Sequence, residues 1–290
     1  MLTVGLGFVL ERRRSMDVRA LSSIAIYVLL PCLIFTSLLT TEVTLEEAFP
    51  LIGVVLLVTA SLWVVGKGYS LARRLGREEE SFFLLTTLFM NAGNMGMPVA
   101  LYAFGDRGLD LAVIWVLIIN ALMNTVGVYY SSRHRGGRRE AVRTVLSLPT
   151  IYAAAAALGM RGAGLGLPEF LLEPLRLLGR SAIPVAQLLL GMQLAKAQAQ
   201  VGAHLFGVAL PNAVRLAVAP ALAFAFVRAL GLEGVTADVA VLMAAMPTAV
   251  NIAIYTTEFD LQPRRVATAV FTSTVASFVT LSGLLVLLEA

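Results

Sequence analysis

The chain has 290 residues, 58% of them hydrophobic and 14% charged, with a mean hydropathy of +0.84. A soluble domain is about 45–50% apolar and about 25% charged, so apolar runs spread along the whole length exclude an ordinary soluble fold and predict about ten bilayer crossings, at roughly 27 residues per span and loop. The formal charge of +4 does not point to nucleic acid, because the arginines cluster in short loops where membrane topology accounts for them; the single Cys32 excludes a disulfide framework or a cysteine metal site.

Segment one, Met1–Leu10, lacks a basic front end and a small-residue cleavage site, so it reads as a helix and not as a signal peptide. Ten helical residues rise about 15 Å, half the hydrocarbon thickness. Either this helix is short or the chain begins part-way through it, and the second reading is preferred. Segment two spans Ala20–Leu39 with Leu30-Pro31 mid-span, and segment three spans Ala48–Leu71. Segment four, Ser81–Phe104, is interrupted by Asn91-Ala-Gly-Asn-Met-Gly-Met-Pro98. Segment five, Leu109–Tyr130, carries Asn120 and Asn124 one helical turn apart on one face. The most polar stretch, Ser131–Arg143, follows. Segment six is Thr144–Met160; segment seven, Glu169–Ala195, carries Ile183-Pro184 and then Gln187 and Gln193. Segment eight, His204–Leu230, has Arg215 about midway. Segment nine, Ala237–Phe259, is interrupted by Met246-Pro247-Thr-Ala-Val-Asn251, and segment ten is Val266–Leu288. His134 and His204 lie at or near loops and share no ligand set.

Sixteen Lys and Arg residues fall on the side of the one-two, three-four, five-six, seven-eight and nine-ten loops, against Arg107, Arg161 and Arg228 on the other. That bias places the basic loops in the cytoplasm and both termini outside the cell membrane. Cutting at the basic loop, 131–143, gives two halves, 1–130 and 144–290, of five spans each. An odd number of spans makes the halves face opposite ways. Spans two and seven both carry a mid-span proline, and spans four and nine are both broken. Lipid satisfies no freed backbone groups, so such breaks survive only where protein or water covers them. Paired breaks in inverted halves point to a midplane binding site. Half-helix N-termini there suit an anion, and Asn91, Asn94 and Asn251 donate and accept hydrogen bonds without charge.

Other residues carry two readings. Gly93 and Gly96 serve the break or permit close helix packing. Asn120 and Asn124 line the site or pair across helices. Arg215 balances a carboxylate substrate, or it snorkels or binds carbonyls freed by Pro211 or Pro220. Arg180 is deep if segment seven starts at Glu169, whereas Arg176 reads as interfacial and Lys67 as snorkelling. Gln187, one turn past Pro184, faces the cavity. No Asp or Glu falls clearly mid-span, which argues against proton coupling by a buried acid. Sodium held by amides and unwound carbonyls is a second option. No nucleophile is accompanied by a base, so the chain does not read as an enzyme.

At these strings the chain resembles the auxin efflux carrier family, which includes bacterial dicarboxylate carriers and plant auxin exporters. The resemblance rests on Asn91–Pro98, Met246–Asn251, Tyr27-Val-Leu-Leu-Pro31 and Ile183-Pro184 followed by Gly191-Met192, and covers nearly the whole chain. It implies an all-α integral membrane fold similar to the bile acid sodium symporters: ten helices in two inverted five-helix repeats, the fourth and ninth crossing at the site. Segments three, four, five, eight, nine and ten would form a scaffold, and segments one, two, six and seven a panel moving against it. Substrate would lie near Asn91, Asn94, Pro98, Pro247 and Asn251, and a homodimer would use panel helices. The chain departs from the family in its short first helix and its short five-six loop, a bacterial trait that makes auxin a less expected substrate. The expectation is therefore a secondary transporter of a small organic anion, a dicarboxylate or auxin-like carboxylate. It needs no cofactor beyond a coupling ion, sodium or proton, and its partners are that anion and the bilayer, with no nucleic acid. The alternatives are a sodium-coupled symporter of a bile-acid-like or other organic solute, and a membrane-embedded ligand sensor.

Overall fold

A computed structural model describes residues 2–14, 17–133, 149–198 and 205–288. Among them the chain is helical, without strands. The helices are α1 (Leu2–Arg14), α2 (Val18–Thr40), α3 (Leu45–Ala72), α4 (Arg77–Leu88), α5 (Ala92–Ser132), α6 (Pro149–Gly162), α7 (Glu169–Gln198), α8 (Leu205–Ala229), α9 (Gly234–Ala244), α10 (Val250–Glu258) and α11 (Pro263–Leu287). Six of them, α2, α3, α5, α7, α8 and α11, are long and apolar enough to cross a membrane. The chain is a multi-pass membrane protein. Large apolar side chains stand outward, as a lipid-facing surface requires; Phe206 is 96% exposed and Val279 77%.

The first helix runs four residues past the predicted end at Leu10, so Arg12, Arg13 and Arg14 form its last turn and not a loop. Cations there oppose the negative end of the helix dipole. The predicted cations Arg135, Arg138, Arg139 and Arg143, the start of segment six and both histidines lie outside the described residues.

Local chemistry sets the helix ends. The Thr44 hydroxyl accepts from the Glu47 amide, and the Glu47 carboxylate accepts from the Thr44 amide, a reciprocal cap that starts α3. Widened, π-type turns at Ala25–Leu29, Ala92–Gly96 and Val214–Val218 each end two residues before a proline, at Pro31, Pro98 and Pro220. Proline has no N–H to offer the preceding turn, and a local widening re-seats the freed carbonyls.

Helix α5 is two arms, 92–104 and 106–132. Gly105 takes φ 66° and ψ −160° between them. A Cβ on Gly108 would lie 2.5 Å from the Ala100 carbonyl oxygen, whereas eight residues of straight helix span about 12 Å. The chain therefore folds back at Gly105, where only glycine adopts the required backbone without strain.

Helix α7 is seated on its neighbours through glycine. A Cβ on Gly191 would fall 2.0 Å from the Val4 carbonyl oxygen of α1, and one on Gly7 would fall 2.2 Å from the Leu188 carbonyl oxygen. Main chain thus touches main chain across the α1–α7 seam, the close approach that small residues permit between membrane helices.

At one end of the bundle Glu80 gathers Lys67 (3.0 Å), Ser70 (3.0 Å) and Arg133 (2.8 Å), while Arg265 binds Glu79 (2.6 Å) and stacks on Phe82. Burial pushes the Glu80 carboxyl up, but donors from Arg133, Lys67 and Ser70 outweigh it and hold it below the usual carboxylate range. A lowered folded-state value stabilises the fold above the unfolded value of about 4.3 and is lost as pH falls through the lowered value. Glu80→Gln is therefore expected to lower the thermal unfolding temperature at neutral pH. The gap to wild type should close as both are acidified below about pH 4, which a detergent melting series against pH will check.

Candidate functional site

Two helices break where the sequence is richest in Pro, Gly and Asn. Helix α4 ends at Leu88 and α5 begins at Ala92; α9 ends at Ala244 and α10 begins at Val250. The extended residues between them pair antiparallel at Met90 and Thr248. The Asn91 amide donates to the Pro247 carbonyl (2.7 Å), and the Ala249 amide donates to the Phe89 carbonyl (2.9 Å). Thr248 adds two bonds: its hydroxyl donates to the Thr86 carbonyl (2.9 Å), and its amide to the Ser273 hydroxyl of α11 (3.3 Å). Backbone groups that lipid would leave unpaired are thereby satisfied within protein.

The four half-helix ends at this crossing are served differently. Arg215, fully buried at 0% exposure, reaches from the widened turn of α8 to the C-terminal ends of both α4 and α9. It donates to the carbonyls of Thr87 (2.8 Å), Leu88 (3.5 Å) and Ala244. Those carbonyls belong to helices distant in sequence, not to the turn before Pro211 or Pro220. A cation at two helix C-termini matches the dipole. The two N-terminal ends, at Ala92 and Val250, face a small cavity of about 60 Å³. Asn91, Asn94, Asn120, Gln193 and Asn251 line it, opposite Ser22 and Ile26 of α2. The side-chain amide nitrogen of Asn91 is buried there with no hydrogen-bond partner. A buried donor left unpaired costs about 1–3 kcal/mol.

Of the predicted site residues, the structure brings Asn91, Asn94, Asn120 and Asn251 onto this one cavity. Gln187 lines an adjacent apolar cavity of about 280 Å³, whose wall includes Val99, Leu190, Phe278 and Leu281 and which also touches Asn94. There Gln187 accepts from the Tyr102 hydroxyl (3.4 Å). Asn94 donates to Gln193 (3.5 Å), which ties α5 to α7 beside both cavities. Asn124 does not reach the crossing cavity; it accepts from the Tyr255 hydroxyl (2.6 Å) and donates to the Asn120 carbonyl (2.7 Å). Pro98 is buried just past the widened turn that opens α5, Pro247 contributes its carbonyl to the bridge, and Arg215 stands behind the crossing. Sequence reasoning missed Tyr255 and also Asp110, which lines a third cavity described below; neither stands beside a break or a proline.

A bundle of apolar helices, two of them broken and paired by their main chains around an amide-lined cavity, defines the class of polytopic carriers with discontinuous helices. The chain belongs to the membrane transport protein family, that of the auxin efflux carriers, which matches residues 1–147 and 139–285. It is 29% identical over 269 residues to an uncharacterized transporter of Methanothermobacter thermautotrophicus, covering 91% of this chain and 87% of that one. It is 24% identical over 272 residues to an uncharacterized transporter of Methanocaldococcus jannaschii, with the same coverages of 91% and 87%. The family and these relatives are transporters and not enzymes.

Proposed function

We propose that this protein is a secondary transporter that carries a small organic anion across the cell membrane by alternating access, with the anion bound at the crossing. The observation that carries the reading is a cavity lined by Asn91, Asn94 and Asn251 and faced by two half-helix N-termini, with the Asn91 amide donor buried beside it and unpartnered. Anions bind where helix N–H groups converge, and Arg215 occupies the opposite, carbonyl ends. In this reading α4 with the first arm of α5 makes the fourth span, and α9 with α10 the ninth. Ten spans then form two inverted repeats, 1–130 and 144–290. The panel is α1, α2, α6 and α7, moving against a scaffold of the rest. The basic loops face the cytoplasm, by charge bias.

The substrate carboxylate sits against Asn91, Asn94 and Asn251, and its body extends past Asn94 into the 280 Å³ cavity. That cavity is mainly apolar and has no Lys or Arg on its wall, so it suits a carboxylate with an apolar body better than a dicarboxylate, whose second charge would go unpaired. The test is uptake of labelled phenylacetate, malonate and malate into proteoliposomes under imposed proton, sodium and voltage gradients. Phenylacetate should move best. Asn94→Ala and Asn251→Ala are expected to cut flux at least tenfold while leaving expression and melting temperature near wild type. No flux of any carboxylate under any gradient, with binding retained in a thermal-shift screen, would instead establish a ligand sensor.

A further inference from the structure

The third cavity, about 420 Å³, opens between α2, the second arm of α5 and α7. Its wall differs from the other two in carrying charge: Glu42, Asp106, Arg107, Asp110, Arg176 and Arg180. The three arginines are engaged. Arg107 pairs with Glu47 of α3, Arg176 with Glu169 and Glu173 of its own helix, and Arg180 with Asp106 at 3.4 Å. Asp110 has no ion-pair partner among the described residues. It is half-buried, and what holds it is two hydroxyls from the end of α2: Ser37 donates to Oδ1, and Thr41 lies within bonding reach.

The geometry points to Asp110 as a proton-binding site that latches the seam between the two moving halves of the transporter. This rests on the reading above, in which α2 travels with the panel and α5 with the scaffold. A charged carboxylate accepts the Ser37 hydroxyl strongly; charge-assisted bonds are roughly twice as strong as neutral ones. With Asp110 charged, the seam is held shut. A proton arriving through the cavity binds a carboxyl oxygen, removes the charge and leaves a weaker neutral contact, so the seam parts. The surrounding charges do not replace the latch. Asp106 and Arg107 on the same arm, Glu47 on α3 and Arg176 and Arg180 on α7 are paired with one another or with Glu169 and Glu173; Asp106 repels a charged Asp110 and Arg107 attracts it, so the two largely offset one another. By charge bias this end of the bundle faces outside, so acid outside opens it.

The experiment is a distance measurement on the full chain in nanodiscs, in a Cys32→Ser background, with spin labels at Leu177 on α7 and Phe49 on α3. Both positions are exposed, at 74% and 67%, and apart from the latch. On acidification from about pH 8 to about pH 5 the separation should lengthen, with the open population rising roughly tenfold, the effect of losing one strong bond. Asp110→Asn should be open at both pH values, and Ser37→Ala should open at higher pH than wild type. A separation that ignores pH, or that follows it equally well in Asp110→Asn, would overturn the latch. The measurement needs no substrate. A protein that opens with acid but moves no carboxylate keeps the latch and loses the transport reading; one that moves phenylacetate while its distances ignore pH keeps transport and loses the latch.

Discussion

Arg215→Met is expected to abolish accumulation of folded protein, and Arg215→Lys to leave a folded but weakened one. The guanidinium reaches main-chain carbonyls at the ends of two different helices, Thr87 and Leu88 of α4 and Ala244 of α9. Methionine fills the volume but leaves those acceptors buried and unpaired, at about 1–3 kcal/mol each, a large share of the roughly 5–15 kcal/mol that holds a typical domain together. Removing a buried charge relieves its desolvation cost, and in some proteins replacing a whole buried ion cluster with apolar residues is neutral or better. Here the acceptors are backbone and do not leave with the arginine, so the relief does not restore the balance. Lysine keeps a point charge but not the planar fork that spans both ends. Monodisperse yield and melting temperature in detergent decide the matter. An Arg215→Met protein that melts like wild type and has lost only anion binding would show instead that Arg215 acts on the substrate.

Gly191→Val is expected to detach the first helix. The new side chain would overlap the Val4 carbonyl oxygen, 2.0 Å from the Cβ position, and the Phe8 amide nitrogen, 2.7 Å from it. Neither is the tip of a flexible side chain, so the whole of α1 must shift. Overpacking of side chains alone costs about 1–3 kcal/mol, and a main-chain clash exceeds that. Limited proteolysis with trypsin should then cut after Arg12, Arg13 or Arg14 far faster than in wild type. Gly159→Ala is the matched control: nothing lies within 4 Å of its Cβ position, and alanine favours the helix it occupies.

Both breaks were legible because Gly, Pro and Asn stand out inside otherwise apolar runs, and the observed ends at Leu88 and Ala244 fall within two or three residues of the strings Asn91–Pro98 and Met246–Asn251. The two asparagines of segment five were legible as a pair but not as individuals. Helical spacing puts Asn120 and Asn124 on one face, yet α5 and α10 together turn Asn124 to Tyr255 while Asn120 lines the cavity. The partners of Arg215 were not legible at all. Carbonyls bear no sequence mark, and these belong to residues 128, 127 and 29 positions away. Asp110 lies near the start of segment five, where an acid reads as interfacial; only the fold-back at Gly105 and the end of α2 enclose it. The end of α1 is not legible from its arginines, because arginine suits a loop and the last turn of a helix equally well.

The joint between the two broken helices is made of amides and carbonyls, between Asn91 and Pro247 and between Ala249 and Phe89. Those two bonds do not draw on the side chains of Asn91, Asn94 and Asn251 that line the cavity. A lineage can therefore replace the groups that touch the cargo, one substitution at a time, while the frame that presents them stays assembled. The cargo-facing chemistry and the main-chain frame are thus separable, and a change of lining need not disturb the two bonds that pair the breaks.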